Sequence, residues 1–146
     1  MPFITDNDYD VQVRNEIAKI IDPTTEKLKL KKAIDMAVAQ IKNYLGGQYD
    51  MDKVFVDAPA TGDDEDNRDP YIIMITIDMA LYHLWSKEGG NNIPQTRSER
   101  YADCLEWLKA VQKGAPCNLP LLTDEEGNTL TDIRIWSKHE PEDNRF

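Results

Sequence analysis

The chain has 146 residues, enough to bury a sizeable core in one domain, and 40% hydrophobic with 30% charged residues is the balance of a globular protein, not a disordered one. Its net charge of −10 argues against non-specific DNA binding and against an anionic membrane surface, since both depend on Lys and Arg. The longest apolar segment, Ile72 to Trp85, is interrupted by Thr76, Asp78 and His83, which excludes a membrane span, and the start of the chain lacks the basic and apolar regions of a secretion signal.

Thr5 is a good N-cap, with Asp6 and Asp8 in the first turn where the helix dipole favours acids. Val13, Ile17, Ile20 and Ile21 follow at helical spacing, so a first helix is predicted from Thr5 to Ile20, broken by Asp22-Pro23. Asp22 can cap a second helix with Pro23 at its first position. Leu30, Ile34, Ala37, Val38, Ile41, Tyr44 and Leu45 keep the i, i+3, i+4 pattern until Gly46-Gly47 stops it. Lys27, Lys29, Lys31 and Lys32 wrap around this helix. Lys27 and Lys31 share one face, which reads either as a solvated basic surface or as a subunit contact that docks an acidic neighbour.

Gln48 to Asp69 is a long connection. Val54-Phe55-Val56 suits a short strand or a tucked hydrophobic clip, and Ala58 to Asn67 has turn chemistry with little to bury, so its tip is expected to be mobile. Between Gln48 and Pro70 there are eight acids against two bases, Lys53 and Arg68, so more than half of the net charge sits in this segment. Asp63, Glu65, Asn67 and Asp69 alternate as calcium ligands do. The glycine at the sixth position and the closing glutamate at the twelfth are missing, so no metal site is expected.

Pro70 opens a third helix, apolar nearly all round from Ile72 to Trp85, and such a helix is buried centrally. Its β-branched content would also suit a strand, but the length and the His83-Leu84-Trp85 end before Gly89-Gly90 favour a helix. Asp78 in its middle needs a partner, and Arg97 or Arg100 at the start of the next helix can supply a structural ion pair. Thr96 or Ser98 caps a fourth helix carrying Tyr101, Cys104, Leu105, Leu108 and Val111, ended by Gly114 and Pro116. The C-terminal segment changes period. Leu119 to Thr123 and Leu130 to Trp136, around a turn at Gly127-Asn128, suit a β-hairpin or an extended arm.

The predicted fold is therefore mostly α: about four helices in a compact bundle, with a long acidic loop and a C-terminal β-hairpin or extended arm. Residues 1–122 form the helical domain, with the acidic loop at 50–69, and residues 123–146 form the arm. No catalytic constellation stands out. His83 with Cys104 lacks a third orienting group and any signature, and Gly89-Gly90 fits neither a dinucleotide fingerprint nor a P-loop. Cys104 and Cys117 are too few for a disulfide framework and read as free thiols.

The order of short motifs resembles the Mu-like head–tail adaptor (neck, head-completion) proteins of tailed phages and prophages. The residues are Phe3-Ile4-Thr5 with Asp8; Ala33, Ala37, Ile41, Tyr44-Leu45-Gly46 and Tyr49; Pro70, Asp78, Ala80, Tyr82 and Leu84; and Arg100-Tyr101 with Ala102, Leu105, Leu108 and Gly114. The likeness covers residues 3 to 122. Ala58 to Asp69 is longer than the family pattern, and the chain after Thr123 matches poorly. The resemblance implies a non-enzymatic subunit, without cofactor, of a ring between portal and tail-completion or stopper protein. That ring is commonly dodecameric, and DNA passes through it without specific binding. The place implied is the virion neck, with assembly in the host cytoplasm and no membrane. In that setting Asp63, Asp64, Glu65 and Asp66 would face the channel, and Leu121, Leu122, Ile133, Ile135 and Trp136 would form a partner-binding arm. The competing reading is a small acidic regulatory or inhibitor protein of phage or bacterial origin. An enzyme stands third and would need a polar pocket gathering Asp78, His83 and Cys104.

Overall fold

A computed structural model describes residues 3–9, 28–88 and 93–123. Its helices are α1 (Leu28–Leu45), α2 (Met51–Val54), α3 (Pro70–Glu88) and α4 (Gln95–Gln112), preceded by a 3-10 turn at Asp6–Asp8. The fold is a mostly helical bundle, with no strand beyond one isolated bridge among the described residues.

α3 is the axis. Ile72, Ile75, Thr76, Ile77, Asp78, Met79, Ala80, Leu81 and Leu84 are all buried, because apolar groups lie on every side of the helix. Each fully buried Leu or Ile side chain contributes about 1.5–3 kcal/mol. α1 covers α3 with Leu30, Ala33, Ala37, Ile41 and Leu45, and the alanines let the two backbones come close. α4 adds Cys104, Leu108 and Val111. It runs antiparallel to α3: Tyr71 meets Trp107 at one end (ring centroids 4.8 Å) and Tyr82 stacks on Tyr101 at the other (4.0 Å). Thr76 keeps its hydroxyl satisfied in the core by donating to the Ile72 carbonyl at 2.6 Å.

Two glycines end helices by different means. Gly114 has φ 113°, where a side chain is strained, and closes α4. Gly46 is needed for space, because a Cβ there would lie 2.6 Å from the Lys42 carbonyl oxygen. Just beyond it, buried Gln48 donates from Nε2 to the Gln112 carbonyl at 2.6 Å, so the end of α1 satisfies a carbonyl left over at the end of α4.

Two local expectations are corrected, a choice between strand and clip is decided for the clip, and the first half of the predicted hairpin gains a partner. Thr5 is an N-cap as expected, with Asp6 and Asp8 in the first turn and the Asp8 carboxylate accepting from Thr5 N at 2.7 Å as in a capping box. The turn it caps is a short 3-10 turn that ends on an extended Tyr9, so the predicted helix does not run on from Thr5; residues 10–27 lie outside the described residues. Val54-Phe55-Val56 is not a strand. Asp50 caps Asp52 N, and Met51–Val54 becomes one α-turn that buries Val54, with Phe55 edge-on to Phe3 at 5.0 Å. The fourth predicted helix is capped by neither Thr96 nor Ser98. It begins at Gln95 behind Pro94, whose carbonyl accepts from Arg97 N and Ser98 N. Finally, the first half of the predicted hairpin pairs with the connection after α1. Tyr49 and Leu121 form an antiparallel bridge flanked by Asp50 N to Pro120 O (2.8 Å) and Leu122 N to Gln48 O (3.1 Å). The second half, with Ile133, Ile135 and Trp136, lies outside the described residues.

Candidate interaction surfaces

The acidic loop is built around an arginine. Asp64 closes its tip, accepting from Thr61 N at 3.2 Å, and Asp63, Asp64 and Glu65 are exposed. Asp66 behaves differently. Its carboxylate takes Arg68 Nε at 2.9 Å and Nη2 at 2.8 Å, a fork-to-fork pair. The same guanidinium donates to Asp8 Oδ2 at 2.7 Å and Oδ1 at 3.0 Å, and also to the Phe3 carbonyl. The Arg68 side chain is only 6% exposed. It thus anchors one end of the loop to the segment that begins the described chain.

The two carboxyls respond to this environment. Burial works to raise the Asp8 carboxyl, but hydrogen bonds from Arg68 and Thr5 outweigh it and hold Asp8 below the usual range. Arg68 lowers Asp66 to about 2. Of the four loop acids singled out in the sequence, three are exposed and the fourth, Asp66, shares an arginine with Asp8. The signal for this clamp was available: Arg68 is one of only two bases in the acidic segment, two residues after Asp66.

A second charged cluster joins α3 to α4. Asp78 Oδ1 accepts from Arg97 Nη1 at 3.0 Å and from Arg100 Nε at 2.9 Å. Asp78 and Arg97 are nearly buried, whereas Arg100 reaches into solvent. One helical turn towards the C-terminus of α3, His83 Nε2 faces Gln40 Oε1, while Gln40 Nε2 donates to the Tyr101 hydroxyl at 3.0 Å. The His83 ring sits edge-on to Tyr101 at 5.5 Å. Cys104 is placed elsewhere, its Sγ 4.0 Å from the Ile75 carbonyl. Burial first, and Asp78 next, push its thiol up to about 12, so it carries no thiolate at neutral pH. Among the described residues, no three His, Cys, Asp or Glu side chains converge as metal ligands would.

The exposed apolar groups fall on three places. Leu28 (54% exposed) and Met36 (37%) lie on α1, where Lys31 and Lys32 are also exposed; Lys27 lies outside the described residues. Tyr71 (42%) and Met74 (41%) lie on the edge between α3 and α4. Tyr71 and Trp107 there border a hollow of about 230 Å³, floored by Ile72 and Leu119 and rimmed by Cys117. Burial first, then Cys104, Asp103 and Asp78, raise the Tyr71 phenol. The third place is Leu121 (36%), beside the bridge to Tyr49, with Leu122 half-buried next to it.

No helix among the described residues is long and apolar enough to cross a membrane. Residues 5–132 match the family model described as Bacteriophage Mu, Gp36, so the match runs past Thr123 into the segment whose sequence fitted the family pattern poorly. No curated protein and no solved structure matches the chain.

Proposed function

The chain belongs to the bacteriophage Mu Gp36 family, and on that premise we propose that it is a structural, non-catalytic subunit of the phage head–tail connector. In this reading copies assemble into a ring, commonly of twelve, between the portal and the tail-completion or stopper protein in the virion neck. DNA passes through the ring without specific binding.

The observation that carries the reading is the family match across most of a helical chain whose Asp63, Asp64 and Glu65 project into water. A channel for DNA must not hold phosphates. Carboxylates at its wall or rim repel them over a Debye length of about 8 Å at physiological salt. Asp66 shares the single positive charge of Arg68 with Asp8, so this cluster keeps a net negative charge of its own. The chain from Leu121 onward, through Ile133, Ile135 and Trp136, acts in this proposal as an arm that adds to a partner by strand pairing or pocket filling.

Negative-stain electron microscopy of the protein mixed with the portal protein of the same genome tests the proposal. A coaxial ring of added density is expected, and removal of residues 123–146 is expected to abolish it while the helices persist by circular dichroism. An intact portal ring with no added density, from folded protein, would overturn the connector reading in favour of an acidic regulatory or inhibitor protein.

A further inference from the structure

The hollow at the edge of α3 and α4 is apolar and opens beside exposed aromatic surface. Ile72 and Leu119 are buried in its floor, half-buried Trp107 lines it, and Tyr71 packs on Trp107 while keeping 42% of its own surface in water. Met74, one turn further along α3 and 41% exposed, extends the apolar surface. Among the described residues the only charge in the lining is Asp69, and its carboxylate is turned onto α3, accepting from Tyr71 N at 2.8 Å and Ile72 N at 3.2 Å. A volume of about 230 Å³ falls below the range of about 300–1,000 Å³ usual for small-molecule sites and suits one large side chain. The chain itself supplies one. Pro116 to Leu119 belong to the wall of the hollow, and 23 residues follow Thr123. The large apolar residues among those 23 are Leu130, Ile133, Ile135, Trp136 and Phe146. Trp136 comes 17 residues after Leu119, a reach of up to about 55 Å, so the segment is long enough to double back on the wall it leaves.

We propose that residues 130–136 of the same chain seat on this surface, Trp136 filling the hollow beside Tyr71 and Trp107, so that the free chain holds back the arm it offers to a partner. The inference rests on the connector reading for what the arm does and adds where the arm is kept before assembly. The argument for this occupant is the tether. A segment that can reach its own site meets it at an effective concentration on the order of 1 mM, far above that of a second copy in dilute solution. The anchor is aromatic because such side chains bury about 150–250 Å² each and dominate contacts of this kind. A partner that takes the arm competes with the seat, and draws it out only by binding it more strongly.

Cys117 at the rim makes the seat testable in the full-length protein, and Cys104 does not interfere because it is buried. Ser137→Cys places a thiol beside Trp136, 20 residues from Cys117, and Asn144→Cys places one 27 residues away. For an unseated tail the two closures differ by less than about twofold, because the cost of closing a loop grows slowly with its length. In dilute protein with oxidised glutathione, the intrachain disulfide from Cys117 to position 137 is expected to form at least about tenfold faster than that to position 144. Adding Trp136→Ala, or Tyr71→Ser on the receiving side, is expected to erase the preference. On the portal, the reduced Ser137→Cys chain is expected to add ring density and the oxidised chain to add none until it is reduced. Equal rates at the two positions, a preference that survives Trp136→Ala, or a disulfide formed between chains instead of within one overturns the inference. So does equal ring density from the oxidised chain. Selective closure without portal binding by any form leaves the seat standing and sinks the connector reading. Ring density from the wild type with equal closure at both positions does the reverse.

Discussion

Arg68 donates to both carboxylate oxygens of Asp8, 60 residues earlier in the chain, and to both oxygens of Asp66 two residues before it. One planar side chain thereby joins the segment around Phe3 to the acidic loop. Arginine suits this task and lysine does not, because only the guanidinium forks onto two carboxylates at once. Removing it leaves Asp8 largely out of water with only Thr5 as donor. Arg68→Met is expected to destabilise the fold by about 2 kcal/mol, read as a lower urea midpoint. Asp66→Asn is expected to cost far less, because Asp66 is open to water and exposed pairs contribute little. Equal losses from the two substitutions would show that the clamp does not act through Asp8.

The same clamp sets an acid limit. Asp8 and Asp66 are both held below their ordinary value of 3.8, Asp66 to about 2. The folded state therefore binds fewer protons than the unfolded state near pH 4. The contribution is complete above the unfolded value and is lost as pH falls from about 4 towards 2. The difference in urea midpoint between wild type and Arg68→Met should be constant from pH 7 to 5 and narrow below pH 4. A difference independent of pH would remove these carboxylates as its source.

Asp78 lies in the wall of the core with two arginines on one oxygen. Asp78→Ala leaves Arg97, itself nearly buried, without this counter-charge, and is expected to cost about 3 kcal/mol. Arg100 is more open to solvent, so Arg100→Ala should cost about 1 kcal/mol. Double-mutant cycles check the order: coupling of Asp78 to Arg97 should exceed coupling to Arg100.

The Tyr9 hydroxyl is buried with no hydrogen-bond partner among the described residues. Burial, reinforced by Asp6 and then Asp8, drives its phenol well above the ordinary value of 10.0, so it stays neutral. Tyr9→Phe removes an unsatisfied polar atom and keeps the ring. It is expected to stabilise the fold by up to about 1 kcal/mol, raising Tm. A clear loss of stability would reveal a partner for the hydroxyl.

The two thiols should differ in reactivity. Cys117 is half-buried at the hollow beside Trp107, whereas Cys104 is buried against Ile75 and pushed up to about 12. An aromatic disulfide reagent at pH 8 should label Cys117 readily. Cys104 should react only at the rate of unfolding, and rapid labelling of both thiols would contradict the packing of α4 on α3.

Periodicity determined two of the longer helices, through the apolar spacing from Leu30 to Leu45 and the stripe from Cys104 to Val111. The all-round apolar run after Pro70 has no period and was helical by its length; α1, α3 and α4 bury those residues. The stops at Gly46 and Gly114 were equally local, because a helix end needs close approach or positive φ within a few residues. Short segments were not decided locally. Val54-Phe55-Val56 has strand-like composition, yet Asp50 capping and the contact of Phe55 with Phe3 make it a helical turn and a clip. Thr5 caps a turn as its sequence suggests, yet that turn is a short 3-10 turn that ends on an extended Tyr9, with Asp8 held by Arg68. The Arg68 clamp, the seat of Gln48 on Gln112 and the bridge of Tyr49 to Leu121 join residues more than 55 positions apart. No period or propensity encodes such pairs. The tertiary structure decided them, because a buried charge or backbone group takes whichever partner the packed helices bring within reach.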